Sequence, residues 1–97
     1  MLKKIKSTVE QHLPNATVVI YGSVARGTHG AESDYDVLVL TDTVLSRAEE
    51  GEIDDALYEL QLAEGKLIVA AYQTRDAWGA NPLMPLRRAV DKEGILL

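Results

Sequence analysis

Apolar residues recur over the first thirteen positions at the spacing of one helical face. Leu2, Ile5, Val9 and Leu13 carry the stripe, with Lys3, Lys4, Lys6 and Glu10 largely elsewhere. A period near 3.6 predicts an amphipathic helix over residues 2–13, which Pro14-Asn15 then ends. The pattern changes at "ATVVIY", residues 16–21. A β-branched run without polar alternation predicts a strand buried on both faces. Gly22-Ser23 breaks it, residues 23–27 have room for a short helix opening, and residues 28–33 read as loop. "DYDVLVL", residues 34–40, predicts a second strand. Ser46 and Glu49 stand at capping-box spacing ahead of a helix that reaches about Glu64. Its apolar stripe is Ile53, Ala56, Leu57, Leu60 and Ala63, while Asp54, Asp55 and Glu59 lie off it and look solvent-facing. Gly65 suits the left-handed residue that closes such a helix. "KLIVAAYQT", residues 66–74, predicts a third strand, and "RDAWGANP", residues 75–82, reads as irregular. A short helix near Pro85 to Asp91 and a last short strand in "GILL" complete the chain.

The predicted order, α-β-α-β-α-β-α-β, describes an α/β (α+β) chain with a small mixed sheet of about four strands flanked by helices. Element order alone leaves strand sequence and direction open. With 97 residues, positions 1–97 are expected to form one domain. A domain of that size buries only a modest share of its surface, and with no cysteine it has no disulfide to add stability. A partner subunit, a second copy of the chain included, is therefore expected. Absence of cysteine also fits a reducing cytoplasm. Apolar runs such as "VVIY" and "VLVL" are far too short to span a bilayer. The N-terminal "MLKKIKSTVEQHL" lacks the apolar core of a signal peptide, so none is expected.

Charge narrows the chemistry. The formal net charge is -5, and an acidic domain does not attract a phosphate backbone, so direct binding to long nucleic acid is disfavoured. An acidic site does suit divalent cations, and a bound cation reverses the local field that a triphosphate meets. Gly22-Ser23 follows a strand and turns toward a helix opening. Such a terminus presents backbone N–H groups and a hydroxyl to phosphate, and glycine lets the backbone come close. Taken alone it is as well read as a simple turn. Asp34 and Asp36 stand two apart at the start of a strand, so both carboxylates point the same way. Like charges so placed call for a cation, and the pair suits Mg²⁺; a solvated acidic strand end is the alternative. Together the two features offer what nucleotidyl transfer requires: a cradle for phosphates beside a metal-binding pair.

"GSVARG" followed by "SDYDVLV" resembles the Gly-Ser-x-x-Arg-Gly … Ser-Asp-x-Asp signature of the DNA polymerase beta-like nucleotidyltransferase superfamily, and the short chain points to its minimal branch. The resemblance implies the nucleotidyltransferase fold. It implies that Gly22 and Ser23 bind the β/γ-phosphates of a nucleoside triphosphate, ATP by preference, and that Asp34 and Asp36 are catalytic and hold one or two Mg²⁺. Ser33 would orient the loop or reach a phosphate. Arg26 would touch phosphate or form a structural ion pair, and Gly27 would serve the backbone. An acceptor hydroxyl on a protein or small molecule would attack the α-phosphate and release pyrophosphate.

Active members of that superfamily usually carry a third carboxylate on the strand after the long helix. Here "KLIVAAYQT" has none; Glu64 precedes it, Asp76 follows it, and Asp42 lies several residues beyond the pair. Three functions follow. One, which the resemblance to minimal members implies, is transfer of NMP, AMP above all, in a chain that serves as antitoxin to a small helical HEPN-type toxin. Another is a degenerate module that binds NTP or that partner without turnover. The last is an α/β interaction domain with no nucleotide. His12 and His29 have no spaced partner and read as structural or exposed, although His29 is near enough to the motif to contact a nucleotide. Trp78 reads as core or interface anchor, Tyr21 and Tyr72 as core, and Arg87-Arg88 as a solvated face or a docking patch. Tyr35, between the two aspartates, must face away from them.

Overall fold

A computed structural model describes residues 1–22, 34–80 and 85–97. Helix α1 spans Leu2–His12 and buries Ile5 and Val9 from the predicted stripe. Strands β1, Thr17–Tyr21, and β2, Tyr35–Thr41, pair antiparallel, from Thr17 opposite Leu40 to Tyr21 opposite Asp36. Helix α2, Arg47–Glu64, opens on the full capping box. The Glu49 amide donates to Ser46 Oγ at 3.1 Å, and the Ser46 amide donates to Glu49 Oε1 at 3.0 Å. It closes on Gly65, whose φ of 67° is left-handed, as the sequence predicts. Its stripe buries Ile53 and Leu57; Ala63, expected on that stripe, is exposed because the last turn runs past the core.

This crossover returns the chain as β3, Ile68–Thr74, parallel to β2. A helix, α3, then occupies Arg75–Ala80, where an irregular segment is expected from the sequence. The difference has a local cause and a distant one. Thr74 Oγ1 caps the helix by accepting from the Ala77 amide at 3.1 Å. Arg87 Nη1 donates to the carbonyls of Trp78 and Gly79 at the other end. Arg87 is thus a clasp between two helices, also bonded to Asp91, and only Arg88 of the pair is a solvated residue. Helix α4, Pro85–Glu93, leads into β4, Ile95–Leu96, which pairs antiparallel with β1. The sheet is mixed, in the order β3-β2-β1-β4. The expected elements at residues 23–27 and 28–33 lie outside the described residues.

Strand alternation divides the apolar residues between two layers. Val18, Ile20, Val37 and Val39 join Ile5, Val9, Ile53 and Leu57 in the main core under α1 and α2, with Tyr35, Ile68, Ala70 and Tyr72 packed against it. Val19 and Leu38 are buried on the other face; α4 packs on β1, and α3 packs on β2 and β3. β1 is thereby buried on both faces, as its unbroken apolar run predicts. Arg75 fastens the end of β3: its guanidinium bonds Asp42, the Asn15 carbonyl and Thr17 Oγ1, each at 2.8 Å.

Candidate functional site

The antiparallel register sets the last residue of β1, Tyr21, opposite Asp36, so the chain leaves β1 beside the acidic start of β2. Gly22 comes next with φ of 78°, a conformation that a side chain disfavours. A Cβ at Gly22 would collide with Asp36 Oδ2 and lie 3.3 Å from its Cγ. Glycine is required here for two reasons at once, backbone angle and space. The phenol of Tyr21 has its pKa raised by burial and, secondarily, by the negative charge of Asp36.

Asp34 is exposed immediately ahead of β2, and Asp36 is half-buried within it. Tyr35 between them packs against the core beneath α1 and α2, the opposite side, as strand alternation requires. Two carboxylates on one side of the strand, with the missing Cβ of Gly22 making room for that of Asp36, suit by their chemistry a divalent cation that takes one or two protein carboxylates and completes its shell with water and phosphate.

The third strand supplies the other border. In the parallel register Val69 is the partner of Asp36, and the Tyr35 amide donates to the Leu67 carbonyl at 2.8 Å. Leu67 and Val69 are 46% and 44% exposed. The remaining acids considered above are bonded elsewhere or lie at the far end of β3. Glu64 pairs with Lys4 of α1, whose ammonium holds its carboxyl below the usual range. Asp42 pairs with Arg75 at 2.8 Å, and Asp76 follows Thr74 at the far end of β3. Asp54, expected to be merely solvent-facing, is exposed but accepts from the Tyr72 hydroxyl at 2.6 Å. Among the described residues, no group of three or more His, Cys, Asp or Glu side chains could hold a metal ion.

Ser23, Arg26, Gly27, His29 and Ser33 lie outside the described residues. His12 is exposed, with Nδ1 3.2 Å from the Thr8 carbonyl oxygen, and Trp78 is half-buried. A cleft of about 210 Å³ opens at the other end of β2, bordered by Thr41, Leu45, Glu50, Tyr72 and Thr74, and so lies away from the carboxylates. Among the described residues, Tyr21 and Val69 are the register partners of Asp36 that sequence reasoning did not connect with the pair. Their only signal is the pairing register, which no local pattern carries.

The family model for the nucleotidyltransferase domain matches residues 2–93. Among solved structures, a toxin-antitoxin with AMP-PNP superposes with a TM-score of 0.71 at 20% identity, covering 97% of this chain and 69% of that one. A variant of the toxin-antitoxin MntA-HpeT, with two aspartates two positions apart changed to glutamate, gives 0.70 at 18% identity, with 97% and 69% covered. A provisionally assigned nucleotidyltransferase gives 0.69 at 22% identity, covering 99% of this chain and 96% of that one. No curated protein sequence matches significantly. The mixed four-strand sheet with its flanking helices is thus the nucleotidyltransferase fold.

Proposed function

Because the chain belongs to the nucleotidyltransferase domain family, we propose that residues 1–97 act as a single minimal nucleotidyltransferase domain. It transfers NMP, AMP by preference, from a Mg²⁺-bound NTP to a hydroxyl on a protein or small-molecule acceptor. Gly22 and Ser23 bind the β/γ-phosphates through backbone N–H and hydroxyl groups, with Arg26 and Ser33 also serving nucleotide binding. Asp34 and Asp36 hold the cation, which when bound neutralises charge on the phosphate oxygens. The acceptor oxygen forms a bond to the α-phosphorus in line with the leaving group, the bond to pyrophosphate breaks, and the hydroxyl proton passes to solvent or to a base on the acceptor.

One observation carries this reading: Gly22, in a left-handed conformation, lies directly against the carboxylate of Asp36. That contact sets Gly22, the first residue of the phosphate-type turn, beside the acidic pair at one end of the two central strands. Likenesses to an AMP-PNP complex and to a variant altered at two aspartates with the same spacing lend support. The presence of toxin-antitoxin structures among the neighbours supports a helical HEPN-type protein as partner, with this chain as antitoxin. No helix among the described residues is long and apolar enough to cross a membrane, and the proposed place of action is the cytoplasm.

A second reading rests on β3, which bears no acid: the domain binds NTP or its partner without turnover. Incubation with ATP labelled at the α-phosphate, Mg²⁺ and a HEPN-type partner separates the two. Label transfer that disappears in Asp36→Asn supports the enzyme. A tight complex indifferent to Asp34→Asn and Asp36→Asn, with no transfer by the unaltered chain, supports the binding module.

A further inference from the structure

We propose that Val69 sets the metal count of this site, limiting it to one divalent cation that arrives with the nucleoside triphosphate. This rests on the reading of Asp34 and Asp36 as the cation's ligands. Paired residues of parallel strands project on the same face, and Val69 is the register partner of Asp36. At 44% exposure its methyl groups meet solvent beside a carboxylate, and Val69 is not among the residues of the main core. Packing therefore does not demand an aliphatic side chain at this position.

Electrostatics gives the position its consequence. Two divalent cations about 4 Å apart repel with four times the energy of two monovalent ions at that distance, so they coexist only where carboxylates lie between and around them. The triphosphate brings its own oxygens to the first cation. Among the described residues, a second must find a side-chain oxygen on the β3 side of Asp36, where Val69 and Leu67 just before β3 offer none. Of the acids that flank the two strands, Glu64 is bonded to Lys4, while Asp42 lies at the other end of β2, bonded to Arg75, and Asp54 bonds Tyr72 on the main-core side. Activation of the acceptor hydroxyl is then left to the acceptor or the partner.

Mn²⁺ serves as the probe, counted by electron paramagnetic resonance on the full chain with a non-hydrolysable ATP analogue. One Mn²⁺ per bound nucleotide is expected in the unaltered protein. Val69→Asp is expected to take up a second, with at least a tenfold gain in affinity for it, while the uncharged, similarly shaped Val69→Thr stays at one. Two Mn²⁺ in the unaltered protein overturn the proposal, as does a folded Val69→Asp variant that still holds one. If Val69→Asp does not fold, the stoichiometry of the unaltered protein decides. Failure to bind either the analogue or Mn²⁺ sinks the reading of Asp34 and Asp36 itself, and the proposal with it.

Discussion

The two faces of the sheet are built from alternate residues of the same strands, yet they differ in how completely they are closed. Toward α1 and α2, the side chains of Val18, Ile20, Val37 and Val39 interlock with Ile5, Val9, Ile53 and Leu57 into one buried cluster. On the other face Val19 and Leu38 are buried in the middle, but at one end Asp36 and Val69 stand side by side with partial exposure. The closed face holds the strands in register. The open end of the other face can then carry like charges and exposed methyl groups without unfolding the domain. Stability and chemistry are separated by a period of two along each strand.

That division is open to direct attack. The largest loss of stability is expected on the closed face: Ile53→Ala should cost about 2–5 kcal/mol, seen as a lower midpoint in thermal or urea unfolding. Asp36→Asn should do the reverse. It should leave the unfolding midpoint nearly unchanged but slow label transfer at least about 100-fold, since a bound metal contributes several kcal/mol. If it unfolds the protein as Ile53→Ala does, the division fails. Gly22→Ala touches both properties. It should cost about 1–3 kcal/mol of stability for an alanine at φ near 78° and also weaken Mg-ATP binding in calorimetry, because its methyl group meets Asp36.

A smaller effect is expected at Tyr72, whose hydroxyl donates to Asp54 and whose pKa is raised first by burial and then by that bond. The folded state keeps this proton at pH values where an unfolded tyrosine, with a pKa near 10, has lost it. The stabilisation is therefore complete below about pH 10 and declines as pH rises above it. Tyr72→Phe should lower stability by about 1 kcal/mol at neutral pH and flatten the alkaline decline; an unaltered pH slope would show that the bond does not matter. Smallest of all, Val69→Thr should shift the unfolding midpoint by less than about 0.5 kcal/mol, as expected of a residue outside the main core.

How much could be read in advance varied along the chain for physical reasons. The helix Arg47–Glu64 was legible to both ends, because its cap Ser46, its partner Glu49 and the left-handed Gly65 all lie within a few residues of the turns they close. The β1 run announced burial on both faces, and Tyr35 had to point away from Asp36. The helix Arg75–Ala80 was not legible. Its breakers Gly79 and Pro82 fall at or beyond its last turn, and the guanidinium that binds its final carbonyls comes from Arg87 in another helix. The bonds of Arg87 to the last carbonyls of that helix and of Asp54 to Tyr72 escape a local reading for the same reason, since their partners are distant in sequence.

Sequence alone determined every described element but the helix Arg75–Ala80, together with the acidic pair on one side of a strand, the glycine before it and the lack of an acid in the third strand. Periodicity, capping and turn chemistry act over a few residues, so a local reading reaches them. Only the tertiary structure decided that Gly22 abuts Asp36 and that Val69, rather than any other residue of its strand, is the neighbour of that carboxylate. Register between strands thirty residues apart is chosen by the packing of a whole face against α1 and α2. No local pattern encodes that choice.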